Sequence, residues 1–397
     1  MPPALLEPDA AAVAARMLAQ ARTDRVPVVP CGGRTKLQWG GTSAPGAAFF
    51  SMRRLTAPFR HDAGDLVAML PAGMTLADAN AHLAREGQWL PIDPPHAERS
   101  TIGGIVAANA SGPRRHKHGA PRDLIIGIEV ALADGRLVKA GGRVVKNVAG
   151  YDLSRLFCGS FGSLGVITSA TFKLSPLPAA SRTVVARVPT QVRALELAAE
   201  LVTAPMTPST IEIEAPGPTL LVRFETTARA ADRMADAARV LLTSGGASVD
   251  IATGETESAA WREHEAVIWD RPGTVVKISM LPADVGGVLR ELDRMRATLD
   301  WSLAGRVALG VLLVRMDGDP FRVADAITTL RSVVGERGHI AWLHGPDAVR
   351  VRAGNGSMSS VSQTLMRAVK HQFDPDGILP GIPGIPEPRA QSLEPRA

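Results

Sequence analysis

Thr101-Ile102-Gly103-Gly104-Ile105-Val106-Ala107-Ala108-Asn109-Ala110-Ser111-Gly112-Pro113 and, further on, Gly159-Ser160-Phe161-Gly162-Ser163-Leu164-Gly165-Val166-Ile167-Thr168 frame the run whose reading decides the fold, residues 100–174. Both stretches read as loops rich in Gly, Ala and Ser, separated by about two strands of β-rich sequence. Where no Cβ intervenes, backbone N–H groups can approach a large anionic ligand closely. The run therefore points to a bound nucleotide-like cofactor.

The flanking sequence supports a mixed fold. Residues 9–21 read as a short amphipathic helix. Residues 26–30 read as a brief buried strand that empties into Cys31-Gly32-Gly33-Arg34-Thr35-Lys36, a phosphate-loop arrangement. A strand is expected at 65–70 and a helix at 75–86, with Thr75 as its cap and Gly87 closing it. Residues 125–132 and 136–140 read as a hairpin over Asp134-Gly135. A short helix at 151–157 and a strand at 166–174 follow, and Ser175-Pro176-Leu177-Pro178 breaks the chain at the first domain boundary.

Beyond residue 178 the order is strand 183–188, helix 192–202, strands 211–214 and 220–224, helix 228–242 and strand 247–251. That β-α-β-β-α-β order resembles a ferredoxin-like unit. A similar cycle is expected as strand 274–280, helix 282–299, strand 308–315, helix 321–334 and strand 340–344. The Pro-rich tail from 382 to 397 reads as disordered.

Composition narrows the function classes. With 397 residues, 45% hydrophobic and 21% charged, the chain has the balance of a soluble protein of two domains. No apolar run reaches the roughly 18 residues needed to span a bilayer, and the N-terminus lacks a signal-peptide pattern, so the cytoplasm is the default compartment. Two cysteines make neither a disulfide scaffold nor an iron–sulfur site, and Cys31 and Cys158 read as small buried residues. The net charge of +5 suits an anionic substrate, a cofactor pyrophosphate or an acidic partner surface. Nine Phe and one Tyr are too few for a stacking surface on single-stranded nucleic acid.

Two common nucleotide motifs are absent. Gly159, Gly162 and Gly165 stand three apart and precede a strand, whereas the Rossmann fingerprint opens a helix. No G-x-x-x-x-G-K-[ST] loop occurs.

Gly87-Gln88-Trp89-Leu90-Pro91, Asp93-Pro94-Pro95-His96, Thr101-Ile102-Gly103-Gly104 and Ser111-Gly112-Pro113-Arg114-Arg115 carry a more specific likeness. Arg122-Asp123, the stretch from Val145 to Leu156 and the second glycine-rich stretch continue it. Over about residues 25–178 the chain resembles the FAD-binding family of vanillyl-alcohol oxidase and p-cresol methylhydroxylase, and within it the E-type FAD-binding subunits of glycolate oxidase. Lys370-His371-Gln372-Phe373-Asp374-Pro375-Asp376-Gly377-Ile378-Leu379 resembles the closing motif of that family.

The resemblance implies an α+β fold. Residues 1–178 would form a PCMH-type FAD-binding domain of two subdomains. Residues 179–365 would form an α+β cap with an antiparallel sheet of ferredoxin-like elements, and residues 366–381 would return to the FAD domain. It also implies site roles. Cys31, Gly32, Gly33, Arg34 and Thr35 would wrap the FAD pyrophosphate. Pro94, Ser100, Thr101, Gly103 and Gly104 would lie along the pyrophosphate, ribityl chain and flavin edge. Ala107, Ser111 and Gly112 would let the backbone pass close to the flavin, and Gly162, Val166 and Ile167 would hold the adenosine end. The loop from Cys31 to Lys36 contains no His, so the FAD is expected to be non-covalent. The closing Leu379-Pro380-Gly381 lacks the Asn of many members, so no contact is carried over to that position.

The implied activity is oxidation of glycolate or a similar 2-hydroxy acid to the 2-oxo acid. The implied partners are a catalytic FAD subunit and an iron–sulfur subunit that carries electrons toward quinone, with only peripheral membrane attachment through the complex. Two alternatives stand beside this: a self-sufficient FAD-linked hydroxy-acid or alcohol dehydrogenase, and a non-catalytic assembly subunit with structural FAD. No catalytic residue is assigned.

Three further groups each carry two readings. Arg114-Arg115-His116-Lys117-His118 could guide an anionic acid or dock an acidic partner, against the plainer reading of an exposed turn. Lys146, Asn147, Tyr151 and Asp152 could supply an acid near the flavin, against a structural turn capped by Asp152 or Ser154. His264, His339, His344 and His371 show no metal-ligand spacing, so no metal is expected.

Overall fold

The computed structural model describes residues 5–41, 46–142, 152–354 and 360–385. The apolar run from Val28 forms the strand Val28–Cys31, which pairs in parallel with Ala48–Ser51; that strand pairs in turn with Leu5–Leu6. Helix Ala11–Thr23 buries Ala14, Leu18 and Ala21 at i, i+4, i+7 spacing, with Ala15 beside them, in the same core as Val28, Ala48 and Phe50.

A five-stranded antiparallel sheet follows, in the order Arg60–Asp62, Val67–Pro71, Val166–Lys173, Ile125–Ala131 and Leu137–Gly141. The Asp134-Gly135 hairpin is formed, with Gly135 at φ +83°, the left-handed conformation its turn requires. Thr75 caps helix Leu76–Leu83 by accepting from the Asp78 N–H.

One expectation is overturned. Residues 102–108 are not a loop but the helix Ile102–Ala108, closed by Asn109 in the left-handed region. Ile102, Ile105 and Val106 are buried at i, i+3, i+4 spacing, and this burial outweighs the low helix propensity of Gly103 and Gly104.

The chain then enters an eight-stranded antiparallel sheet. The first half runs Ser248–Ala252, Ala180–Arg187, Thr219–Thr226, Thr210–Ala215, the strand order of a ferredoxin-like unit. The second half runs Asp300–Arg306, Val311–Asp317, Thr274–Ser279, His339–His344, the same unit in mirrored order along the sheet. The halves join where Thr210–Ala215 pairs with Asp300–Arg306, bringing Glu214 opposite Ala304. The sequence places a helix over 282–299 and no element between it and a strand at 308–315; the helix ends at Met295, and Asp300–Arg306 is a strand. Helices Gly254–Trp269, Asp347–Ala353 and Ser360–Phe373 had not been anticipated either.

Period-two alternation gives the large sheet two different faces. Ile211, Ile213, Leu220, Val222, Phe224, Leu303, Leu312 and Val314 point into one core, which is covered by helices Gln191–Thr203, Ala228–Ser244, Val285–Met295 and Pro320–Val334. The intervening residues Glu212, Arg223, Glu225, Lys277 and Arg306 lie on the opposite face, which packs toward the first half of the molecule. There Trp39, Ala108 and Ala110 meet Ile268, Ala304, Leu313 and Leu343 in a small apolar cluster. No described helix is long and apolar enough to cross a membrane.

Candidate functional site: two adjoining cavities

The loop after strand Val28–Cys31 must turn against the segment that leads into helix Ile102–Ala108. A Cβ on Gly33 would lie 1.7 Å from the Arg99 carbonyl oxygen, and one on Gly32 would lie 2.0 Å from Thr101 Oγ1. Only glycine fits at either position. The result is a cleft of about 880 Å³, solvent at its mouth included.

Cys31, Gly32, Gly33, Arg34 and Thr35 form one wall of this cleft. Ser100, Thr101, Gly103, Gly104 and Ala107 form the second, and Gly162, Val166 and Ile167 the third. Three sequence-distant segments expected to share one ligand therefore converge. Pro94 and Gly112 line a neighbouring cavity instead, and Ser111 lines neither. Lys36, Trp39, Phe161, Gly165 and Pro380 also line the cleft, without a site role expected of them. Pro380 arrives because Asp374 accepts from the Ile378 and Leu379 N–H groups, while Lys370 pairs with Asp374 and donates to the Ser163 carbonyl at 2.9 Å.

The cleft suits an elongated, partly anionic ligand. Thr101 Oγ1 is buried with no hydrogen-bond partner among the described residues, an orphan that a ligand atom would satisfy. The Arg34 guanidinium sits 4.6 Å over the Phe49 ring, and the wall combines glycine backbone with the Thr35, Ser100 and Thr101 hydroxyls, the Lys36 amine and apolar side chains such as Met52, Ala107 and Val166.

The second cavity, about 680 Å³, lies between the first half and the polar face of the large sheet. Trp39 on the first cavity and Trp269 on the second stack at 5.9 Å, so the two spaces share a wall. A Cβ on Gly112 would fall 1.7 Å from the Asp93 carbonyl oxygen, and this close approach lets the Arg114 N–H reach both Asp93 carboxylate oxygens, at 3.0 and 3.1 Å. Burial pushes the Asp93 carboxyl up to about 6, against the opposing charge and N–H of Arg114.

The expected exposed turn at residues 114–118 is overturned: among these five residues only Lys117 is exposed. Arg114 donates to Glu225 at 2.7 Å and lies 4.7 Å over the Trp89 ring. Burial and the charge of Lys117 push His118 down to about 4. Burial and the charges of Arg115 and Arg306 push Lys277 down to about 8.

His264 stands between Glu214, 2.8 Å from Nδ1, and Glu212, 3.3 Å from Nε2. Burial pulls its pKa down, but the two carboxylates more than offset this and hold the imidazolium at about 9. Glu212 is fully buried and also accepts from Arg306 at 2.9 Å. Arg223 differs from its neighbours. It is 6% exposed, its guanidinium lies 3.8 Å over the Trp261 ring, and its Nε is 3.4 Å from Glu257 without a hydrogen bond. Burial and the charge of Arg114 pull it down to about 10.

Among the described residues no cluster of His, Cys, Asp and Glu has the geometry of a metal site. Asp152 caps helix Leu153–Phe157 by accepting from the Arg155 N–H, while Lys146, Asn147 and Tyr151 lie outside the described residues.

Comparison with known proteins places this architecture. A family model described as an FAD binding domain matches residues 2–141. The chain is 28% identical to glycolate oxidase subunit GlcD of Bacillus subtilis, covering 96% of this chain and 88% of that protein. It is 31% identical to glycolate oxidase subunit GlcE of Escherichia coli, covering 90% and 93% respectively. It is 39% identical to a D-lactate dehydrogenase of Archaeoglobus fulgidus, over 38% of this chain and 34% of that one. In structure it resembles an alkyldihydroxyacetonephosphate synthase, with a TM-score of 0.71 at 17% identity, covering 94% of this chain and 75% of that one. With three glycine-rich segments converging on one cleft and a full-length relative above 30% identity, the chain belongs to the FAD-binding oxidoreductase family with the PCMH-type domain, and FAD is its cofactor.

Proposed function

We propose that this chain is the FAD-binding subunit of a glycolate oxidase-type complex, which oxidises glycolate or a similar small 2-hydroxy acid to the 2-oxo acid. Electrons would pass through an iron–sulfur subunit toward quinone, and a second, catalytic FAD subunit would complete the assembly. The naming of two relatives as glycolate oxidase subunits supports the complex. Cytoplasmic residence, with membrane attachment only through partners, belongs to the same proposal.

In this reading the first cavity holds FAD. The backbone from Gly32 to Thr35 cradles the diphosphate, Ser100, Thr101, Gly103 and Gly104 run beside it, and Gly162, Val166 and Ile167 hold the adenosine end. Pro94 and Gly112, on the second cavity, belong at the flavin edge. FAD supplies two-electron acceptor chemistry, and the protein supplies position and electrostatics. The attachment is non-covalent: burial pushes the Cys31 thiol up, against a hydrogen bond from Arg34, which keeps this wall thiol protonated and a poor nucleophile.

The observation that carries the substrate assignment is Arg223, a buried arginine on the second cavity whose Nε has no hydrogen bond among the described residues and whose carboxylate neighbour, Glu257, stays 3.4 Å away. A carboxylate would satisfy it in the bidentate geometry that arginine favours. Arg306 and the His264 imidazolium stand on the same wall, both already paired with the buried Glu212, and Glu214 holds the other side of the imidazole, so Arg223 is the cation there left for a substrate carboxylate. His264 cannot serve as a base, because both ring nitrogens are engaged and the ring is protonated near neutrality. Asp93 can: it lines the cavity half-buried, is oriented by the Arg114 N–H, ionised at neutral pH, and close enough to neutrality to take a hydroxyl proton.

Anaerobic addition of glycolate or lactate to the purified complex tests this by the loss of yellow flavin absorbance. Asp93→Asn should slow bleaching by at least about 100-fold with similar substrate affinity. Arg223→Met should raise the half-saturating acid concentration by at least about tenfold with FAD content unchanged. If both variants bleach like the wild type, oxidation occurs on another subunit, and this chain is a relay or assembly subunit.

A further inference from the structure

Lys36 lines the first cavity beside Trp39, on the side where Pro95 lines the second. Its Nζ donates to Ser100 Oγ at 2.7 Å, Thr35 Oγ1 at 3.0 Å and the Pro95 carbonyl at 3.2 Å, and it lies 5.6 Å over the Trp39 ring. Every one of these acceptors is neutral. Ser100 is itself buried and donates onward to the His96 carbonyl at 2.9 Å, so the amine is held in one position on the wall of the cleft.

The charges that face it leave it short of a counter-ion. On helix Gly254–Trp269, Glu265 bears on Lys36, but among the described residues the two form no ion pair within 4.0 Å. Glu265 already accepts from the His96 N–H at 2.8 Å and is 46% exposed, so solvent screens its charge. Arg99, on the segment before helix Ile102–Ala108, repels the amine. His96 is held below its ordinary value by burial and adds no charge near neutrality. Arg34, on the same loop, is turned onto the Phe49 ring.

Even part-buried, as Lys36 is, an ammonium with no paired carboxylate carries a desolvation cost. Either it loses its proton or an anion joins it. Burial, with Arg99 adding to it and Glu265 opposing, pulls this amine down to about 7. A diphosphate in the cleft would supply the missing charge and raise it again.

We propose that Lys36 is the counter-ion to the anionic part of FAD, and that loading the cofactor draws a proton from solvent onto this amine. The inference rests on the reading that the first cavity holds the diphosphate. It makes FAD retention sensitive to pH: below neutrality the amine is already charged, and above it each binding event must also take up a proton.

The test is calorimetric titration of FAD into the flavin-stripped chain, in buffers of differing ionisation enthalpy, near pH 6 and near pH 8. The diphosphate stays ionised throughout, so uptake reports the protein. Wild type should take up close to none near pH 6 and about one proton near pH 8, with affinity falling up to about tenfold per pH unit above neutrality. Lys36→Arg, which keeps its charge, should bind FAD with no uptake and a flat pH dependence. Uptake that is absent in the wild type near pH 8, or unchanged in Lys36→Arg, overturns the inference while leaving the FAD site intact. A stripped, folded chain that binds no FAD overturns both.

Discussion

The His264 imidazole is held from two sides by Glu212 and Glu214, and this keeps it a cation at neutral pH, with a measurable signature. Its folded value of about 9 lies above the ordinary 6.5. The stabilisation it gives is therefore fully present below about pH 6.5 and is lost as pH rises through 9. The shift corresponds to an amount on the order of 3 kcal/mol. In denaturant titrations, His264→Gln should be less stable than wild type near pH 6, and that gap should close toward pH 9. A gap independent of pH would mean that the imidazole is neutral in the folded protein. Lys36 and Lys277 shift the other way in both proteins, so the difference between the two, not the wild-type curve, carries the signal. In the sequence, Ile211-Glu212-Ile213-Glu214 and Val222-Arg223-Phe224-Glu225 already show which residues share a face. They do not show that this face is buried, because alternating charge is equally the mark of a sheet open to water.

At the scale of elements, turns and caps were legible because each rests on local chemistry. The Asp134-Gly135 hairpin and the Thr75 cap formed as expected. Helix Ile102–Ala108 was misread because its glycines suggested a loop, although Ile102, Ile105 and Val106 carried the helical spacing. Its glycines serve close packing: a Cβ on Gly103 would meet Ala72 Cβ at 2.9 Å and the Ala72 carbonyl oxygen at 3.2 Å. Gly103→Val should destabilise the fold by about 1–3 kcal/mol in chemical denaturation and reduce the flavin retained on purification. A variant with wild-type stability would show that the helix can shift away from strand Val67–Pro71 without cost. Strand Asp300–Arg306 escaped notice for a different reason. Six of its seven residues are buried, and Ser302, Ala304 and Gly305 stand among its larger residues, so no clean polar–apolar alternation marks the strand that joins the two ferredoxin-like units.

At the scale of the molecule, the order of strands and helices beyond residue 178 was readable, but the edge-to-edge joining of the two units was not, since it depends on pairings such as Glu214 with Ala304. The second cavity exists only because that joined sheet turns its polar face to the first half of the chain, across Trp39 and Trp269. Helix Gly254–Trp269 supplies Trp261, His264 and Trp269 to it, and nothing in the local sequence marks that helix as part of a site. The first cavity was more legible because its glycines are required by backbone contacts within short loops.

The most direct test of the account is the FAD content of purified wild type and Gly33→Val, read from the visible spectrum before and after denaturation, with circular dichroism to confirm that both are folded. At Gly33 even a Cβ would sit 1.7 Å from the Arg99 carbonyl oxygen, so the loop cannot keep its path beside Ser100 and Thr101. Wild type should release about one FAD per chain into solution, as one non-covalent site requires, and folded Gly33→Val should be nearly colourless. A folded Gly33→Val that retains its full complement of FAD would show that the cofactor does not lie in this cleft.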